Sequence, residues 1–233
     1  MVAIGGLQKN SLIDYPGKLS CVIFLSGCNF DCPYCHNPSL VNGRAECPSS
    51  LRDDALNNFL ENRKEFLDGV VISGGEPTLQ KNLYKLCETV KRLGYSVKLD
   101  TNGSRPLELK RLINEGLVDY IAMDIKTDPF NYDPLIKKGC NPEDLLSSIL
   151  TIMESAPAYE FRTTCVKGFV DDRIIESIAK LIRGASLYAL QQFRNKEVLH
   201  PEFFQALDFS HNEEELMHLK TIADPWVREC VIR

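Results

Sequence analysis

No apolar run in this chain of 233 residues approaches the roughly 18 uncharged residues that a membrane-spanning helix requires. No basic region followed by an apolar core opens it, so it carries no mark of a secretory leader. Positive charge is in deficit, with 27 Lys and Arg against 32 Asp and Glu and a formal net charge of -5. A nucleic-acid partner needs a basic footprint, and none is present. There is no internal repeat and no low-complexity tract. Membrane, disordered and nucleic-acid-binding classes are thereby set aside, and the expected location is the cytoplasm. What remains is ordinary globular composition, 44% hydrophobic and 25% charged, enough to bury a core.

Cysteine is the residue in surplus. Nine is an odd number, and in a reducing compartment cysteines are free or metal-bound rather than paired. Cys21, Cys87, Cys165 and Cys230 lie in apolar surroundings and read as small buried hydrophobes, whereas Cys47 and Cys140 fall in loops without an assigned role. The other three stand in Cys28-Asn-Phe-Asp-Cys32-Pro-Tyr-Cys35-His36, a CxxxCxxC loop after a short apolar strand. Thiolates select zinc or iron-sulfur clusters. A structural zinc site wants four ligands from two separated pairs, and no second CxxC exists. His36 is adjacent to Cys35 and poorly placed to join it on one tetrahedral ion. A cubane cluster is normally held by four cysteines, so three would leave one iron open to a small molecule. From the triplet alone, cluster and zinc both remain open.

Along the chain, residues 1 to 18 read as an irregular lead-in punctuated by Gly5-Gly6 and Pro16-Gly17. Strands are then expected at Cys21–Leu25, Val70–Ser73, Tyr95–Asp100, Val118–Ile125, Tyr159–Val166 and Ser186–Phe193, alternating with helical stripes. The first stripe is loose, running over Leu51, Ala55, Phe59, Leu60 and Phe66 behind a Ser50 cap. Asn141-Pro142-Glu143-Asp144 opens a later helix with a cap, a first-turn proline and two acids. A last helix is expected at about 212–222, and 226–232 is a candidate edge strand. Six strand-helix units predict a parallel sheet with right-handed crossovers. Eight would close a barrel, so the fold expected is α/β, a partial, open (β/α)6 TIM-like barrel. One domain spans 1–233, with the lead-in at 1–18 and the barrel at 19–233.

Reactive groups in such folds collect at the carboxyl ends of the strands. The polar residues here fall there in succession: the cysteine triplet, Gly74-Gly75-Glu76-Pro77, Asp100-Thr101-Asn102-Gly103, Asp124-Ile-Lys126, Arg162 and Gln191-Gln192. Glycines let backbone approach a ligand closely. Glu76 or Asp124 can hold an ammonium, and Lys126 or Arg162 a carboxylate. Each group alone also suits a turn or an ion pair; together they form one rim suited to an amino-acid-like zwitterion.

These motifs resemble the radical S-adenosylmethionine (SAM) superfamily, and specifically the activating enzymes of glycyl radical enzymes. The resemblance rests on CxxxCxxC followed by Gly-Gly-Glu-Pro, with Asp-Thr-Asn-Gly and Met-Asp-Ile-Lys narrowing it. Ser11-Leu-Ile-Asp14-Tyr-Pro16-Gly17 and Leu190-Gln191-Gln192-Phe193 look most like activating proteins of anaerobic ribonucleoside-triphosphate reductase. Formate-lyase activases usually carry a Leu-Pro-Tyr-His-type string at the latter place. The resemblance implies that Cys28, Cys32 and Cys35 hold a single 4Fe-4S cluster and that SAM chelates its open iron. By matching position the Tyr34 backbone meets the adenine, with His36 and Asn102 beside the cofactor and Gln191 on the adenine side. Gly74, Gly75 and Glu76 meet the methionine amine, and Lys126 with Arg162 the carboxylate and ribose. Asp100, Thr101 and Asp124 match positions that hold a monovalent cation in formate-lyase activases. The implied reaction is one-electron reduction, cleavage of SAM to methionine and a 5'-deoxyadenosyl radical, and hydrogen abstraction from a glycine of a partner enzyme. A flavodoxin-like or ferredoxin-like protein would donate the electron. Activation of another glycyl radical enzyme, small-molecule radical chemistry, and a non-catalytic metal-binding protein are the rival readings.

Overall fold

The computed structural model describes residues 2–43, 53–132, 135, 140–194, 196–205 and 209–233. A single sheet of eight strands runs in sequence order. The strands are β1 (Ile4–Ser11), β2 (Ser20–Leu25), β3 (Gly69–Gly74), β4 (Ser96–Thr101), β5 (Tyr120–Asp124), β6 (Tyr159–Cys165), β7 (Tyr188–Gln192) and β8 (Cys230–Ile232). From β2 to β8 every neighbouring pair is parallel. The sheet does not close, as expected of a partial barrel.

Two ends differ from the sequence expectation. The lead-in is not irregular: β1 pairs antiparallel with β2, from Ile4 opposite Leu25 to Ser11 opposite Ser20. Its pairing shifts register at Ile4/Gly6 and Gln8/Ser11, which breaks the alternation that identifies a strand. Gly5-Gly6 therefore lies inside a strand rather than at a turn. At the other end β8 joins β7 in parallel, so the candidate edge strand exists but has three residues.

Helices α1 (Pro38–Val41) and α2 (Asp53–Glu61) lie between β2 and β3. After β3 to β7 come, in turn, α3 (Leu83–Arg92), α4 (Pro106–Asn114), α5 (Pro142–Ser155), α6 (Asp172–Leu181) and α7 (Glu213–Ala223). Their apolar stripes are buried as expected, for example Leu83, Leu86, Cys87 and Val90 on α3. On α2 the stripe is carried by Leu56 and Leu60, while Phe66 lies beyond the helix and is exposed. Ser50, Leu51 and Cys47 fall outside the described residues. At α5 Asn141 stands at the N-cap as expected, and its backbone amide donates to Asp144 Oδ2 at 3.2 Å.

Strand alternation sorts the sheet into two faces. Cys21, Ile23, Leu25, Val70, Ile72, Val97, Leu99, Ile121, Met123 and Phe161 pack with the helix stripes in one continuous core. The residues between them face the other way. Val22, Phe24 and Val71, with Tyr15 and Tyr120, form a second, smaller apolar cluster on that opposite face. The same face carries Lys98 level with that cluster and, higher, Ser73, Asp100, Asp124, Arg162, Thr164 and Gln191, so charge gathers on the face opposite the main core. Among the described residues no helix is long and apolar enough to cross a membrane.

Candidate active site

A cavity of about 250 Å³ opens at the carboxyl ends of the strands. Cys28, Cys32 and Cys35 line it, as do Tyr34 and His36 from the same loop. Gly74 and Gly75 come from the end of β3, Asp100, Thr101 and Asn102 from the end of β4. Asp124 and Lys126 follow from β5, Arg162 from β6 and Gln191 from β7. Of the rim residues named from the sequence, Glu76, Pro77, Gly103 and Gln192 do not line this cavity; Gln192 Nε2 instead donates to His211 O at 3.3 Å.

Glu76 is fully buried behind the wall. Its Oε1 accepts from the Thr78 amide at 3.0 Å, the Thr78 hydroxyl at 2.5 Å and the Thr101 hydroxyl at 2.8 Å. Its Oε2 accepts from the Asn102 amide at 2.6 Å. The carboxylate thus ties the β3 loop to the β4 loop. Burial pushes its carboxyl above the ordinary range, and the donors offset this only in part.

The cysteine loop is strapped down on both flanks. The Gly27 amide donates to Leu40 O at 2.7 Å and the Cys28 amide to Val41 O at 3.3 Å. The Asp31 amide donates to Leu135 O at 2.9 Å, and the Cys35 amide closes a turn on Cys32 O at 3.0 Å. Asn102 Nδ2 donates to Asn29 Oδ1 at 3.0 Å, and Asn29 Nδ2 in turn to Ser104 Oγ at 2.9 Å. Tyr34 inserts its ring between Phe169 and Phe193, with centroids 5.5 and 6.4 Å away. Its hydroxyl has no hydrogen-bond partner among the described residues. His36 stacks on Phe193, and its Nε2 lies 2.9 Å from Arg194 O, which turns the imidazole toward the β7 end.

The two glycines of the β3 end serve a close backbone approach. Gly75 donates to Leu25 O at 2.8 Å, and the next amide, of Glu76, to Gly27 O at 2.8 Å. A Cβ on Gly75 would sit 2.1 Å from Gly27 O, and one on Gly74, at φ +119°, 2.4 Å from both N and O of Leu25. The obstacle is backbone, which cannot swing aside as a side chain can. Gly75→Ala is therefore expected to cost about 1–3 kcal/mol by overpacking. It should also lower iron uptake by displacing the start of the cysteine loop; urea unfolding and iron analysis of the same sample check both.

Along the cavity wall runs a chain of alternating charge, with Lys98 just below it. Lys98 Nζ is 2.5 Å from Asp100 Oδ1, and Arg162 Nη1 is 3.4 Å from the same oxygen. Arg162 Nε donates to Asp124 Oδ1 at 2.7 Å, and Lys126 Nζ to Asp124 Oδ2 at 2.9 Å. The Ser73 hydroxyl donates to Asp100 Oδ2 at 3.0 Å. Burial alone would raise both carboxyls, but the Arg162 guanidinium, seconded by Lys126 at Asp124 and by Lys98 at Asp100, holds them below the ordinary range. Burial raises the thiols in the same way, and there nothing outweighs it: Cys28 is pushed up to about 11 and Cys32 to about 12, and Cys35 is raised as well. Binding a metal group there must displace protons.

Among the described residues, no three His, Cys, Asp or Glu side chains converge closely enough to grip a single ion. Yet three thiols open on one cavity. That donor set fits a multi-atom iron-sulfur group better than one zinc ion. The sequence profile of the Radical SAM superfamily matches residues 22–181. The chain belongs to the radical SAM superfamily. A protein of Methanocaldococcus jannaschii, provisionally named as a glycyl-radical enzyme activating enzyme, is 39% identical over 99% of this chain and 95% of its own length. A pyruvate formate-lyase-activating enzyme of Listeria monocytogenes is 31% identical over 68% of this chain and 61% of its own. Among solved structures, SuiB of Streptococcus suis bound to S-adenosylmethionine aligns with a TM-score of 0.63 at 15% identity. That alignment covers 88% of this chain and 48% of SuiB, so the chain spans about half of that structure, and the likeness is one of fold.

For a radical SAM chain the family's cofactors are a 4Fe-4S cluster and SAM, and the cavity has the donors for both. Two neighbours of the site escaped the sequence reading. Thr164 lines the cavity from β6, and Lys98 stands below it. Lys98 shares a strand face with Asp100 because the two are two residues apart, though that spacing alone does not show the face to be buried.

Proposed function

We propose that this chain is the activating enzyme of a glycyl radical enzyme, with anaerobic ribonucleoside-triphosphate reductase as the partner. The observation that carries the reading is the convergence of Cys28, Cys32 and Cys35 with Asp124, Lys126 and Arg162 on one cavity. The full-length likeness to an archaeal protein named for glycyl-radical activation supports the reaction class. The reductase is favoured by Ser11–Gly17 and Leu190–Phe193.

In this reading the thiols of Cys28, Cys32 and Cys35 would hold a 4Fe-4S cluster, which when bound would supply the electron that cleaves SAM to methionine and a 5'-deoxyadenosyl radical. The chain's own residues bind and shield. Lys126 and Arg162 present positive charge to the methionine carboxylate, and the backbones of Gly74 and Gly75 face its amine. The Tyr34 backbone, His36 and Gln191 line the adenine side, and Asn102 holds the cluster loop. The open side of the sheet admits the partner's glycine-bearing loop, whose seating excludes water from the cavity. A flavodoxin-like or ferredoxin-like protein delivers the electron.

The test is anaerobic. The protein is loaded with iron and sulfide, reduced, and mixed with SAM and the purified reductase. A glycyl radical signal by electron paramagnetic resonance, with matching 5'-deoxyadenosine, is the expected result. Deoxyadenosine without a radical on the reductase, but with one on another glycyl radical enzyme, would replace the partner. No SAM cleavage by a cluster-loaded protein would overturn the reading.

A further inference from the structure

The resemblance to formate-lyase activases places a monovalent cation among Asp100, Thr101 and Asp124, but the side chains do not leave that position to an ion. Asp100 Oδ1 is held by Lys98 Nζ at 2.5 Å and Arg162 Nη1 at 3.4 Å. Asp124 is held by Arg162 and Lys126. The third donor has turned away: the Thr101 hydroxyl donates to Glu76 Oε1 at 2.8 Å and accepts from the Gly103 amide at 3.1 Å. Lys98 is 2% exposed, and its ammonium, 5.9 Å from the centre of the Tyr120 ring, reaches up from the apolar layer of the sheet to Asp100.

We propose that the Lys98 ammonium is the resident monovalent cation of this site, so that the chain binds SAM without an alkali-metal ion. The proposal rests on reading the cavity as the SAM site. Charge counting supports it. Lys98, Arg162 and Lys126 face Asp100 and Asp124, three cations against two anions. The side chains already carry one positive charge in excess, and an added alkali ion would enlarge that excess in a place where burial makes unpaired charge expensive. An ammonium and a potassium ion carry the same charge, and the lysine needs no recruitment from solvent.

The experiment compares the cluster-loaded wild type with Lys98→Met, without reductant, in potassium, sodium and choline chloride at equal ionic strength. SAM binding is read by equilibrium dialysis, and thermal unfolding is followed without SAM. The wild type is expected to bind SAM equally, within about twofold, in all three salts. Lys98→Met is expected to bind about tenfold more weakly in choline, the size of one lost charge-assisted contact, and to recover in potassium or sodium. Its melting temperature should rise in the alkali salts over choline, as for any ligand of the folded state, while the wild type's should not. A wild-type affinity that rises several-fold from choline to potassium overturns the proposal. So does a Lys98→Met protein that matches the wild type in choline. If the wild type binds no SAM in any salt, the SAM reading falls, and the melting series still decides the cation question. If Lys98→Met does not fold, the wild-type salt series decides, together with Lys98→Arg, which keeps the charge and must remain indifferent to alkali ions.

Discussion

Cys32→Ala is expected to reduce iron in the reconstituted protein from about four atoms per chain to a trace and to abolish SAM cleavage. If Cys28, Cys32 and Cys35 are, as proposed, the three protein ligands of the cluster, none is spare. Cys32 is the most buried of the three at 6% exposed, and it lines the cavity. Its backbone, not its side chain, holds the loop: Cys35 donates to Cys32 O, and Asp31 to Leu135 O. Alanine leaves those bonds in place. The variant should therefore keep its far-ultraviolet circular dichroism while 5'-deoxyadenosine formation falls by at least about a thousandfold, some 4 kcal/mol of barrier. Iron content, circular dichroism and product chromatography on one preparation check it. Retention of near-stoichiometric iron with normal cleavage would exclude Cys32 from the cluster.

The second large effect falls on stability. Arg162→Met removes the group that joins Asp100 to Asp124. Breaking a buried ion pair from one side costs about 3–5 kcal/mol, because the remaining charge stays buried. Each carboxylate here keeps one lysine, Lys98 or Lys126, so a loss of about 3 kcal/mol is expected. For a chain of this size that lowers the urea midpoint by about 1 M. Arg162→Lys should recover only part of it, since one ammonium cannot span two carboxylates as the planar fork does. The second substitution Asp124→Asn in the Arg162→Met background should restore stability, which a loss of packing alone would not allow. Equilibrium urea unfolding of the cluster-free chain measures all three.

Much of this site was legible because its residues follow from strand alternation and strand ends. Asp124 and Lys126, or Asp100 with Thr101 and Asn102, sit where parallel strands terminate, and the structure gathers them on one cavity. Glu76 shows where that logic stops. A glutamate in Gly-Gly-Glu-Pro can hold an ammonium, but nothing local shows that Thr78, Thr101 and the Asn102 amide will converge on it. The glycines were legible as a close approach, while the partner approached, the backbone of Leu25 and Gly27, was not. β1 was missed because its two register shifts disrupt the period of two, and because glycine in a strand resembles glycine in a turn. Lys98 was overlooked for a different reason: a lysine in a strand suggests solvent, and only the pairing of Val71 with Lys98 and of Lys98 with Tyr120 places it inside.

The unclosed sheet has a mechanical consequence. In a closed barrel, strand number and stagger together fix the diameter, and no strand can rotate without breaking a ladder. Here β1 and β8 stand at opposite ends of the strand order, and the three-residue β8 has few bonds to lose. The sheet can therefore splay or tighten by small cumulative changes in twist, with β8, paired to β7 at three positions, the most compliant end and the six-position β2–β3 ladder the firmest. Breathing of this kind would adjust the width of the entrance while the thiols, anchored at the rigid end, keep their spacing.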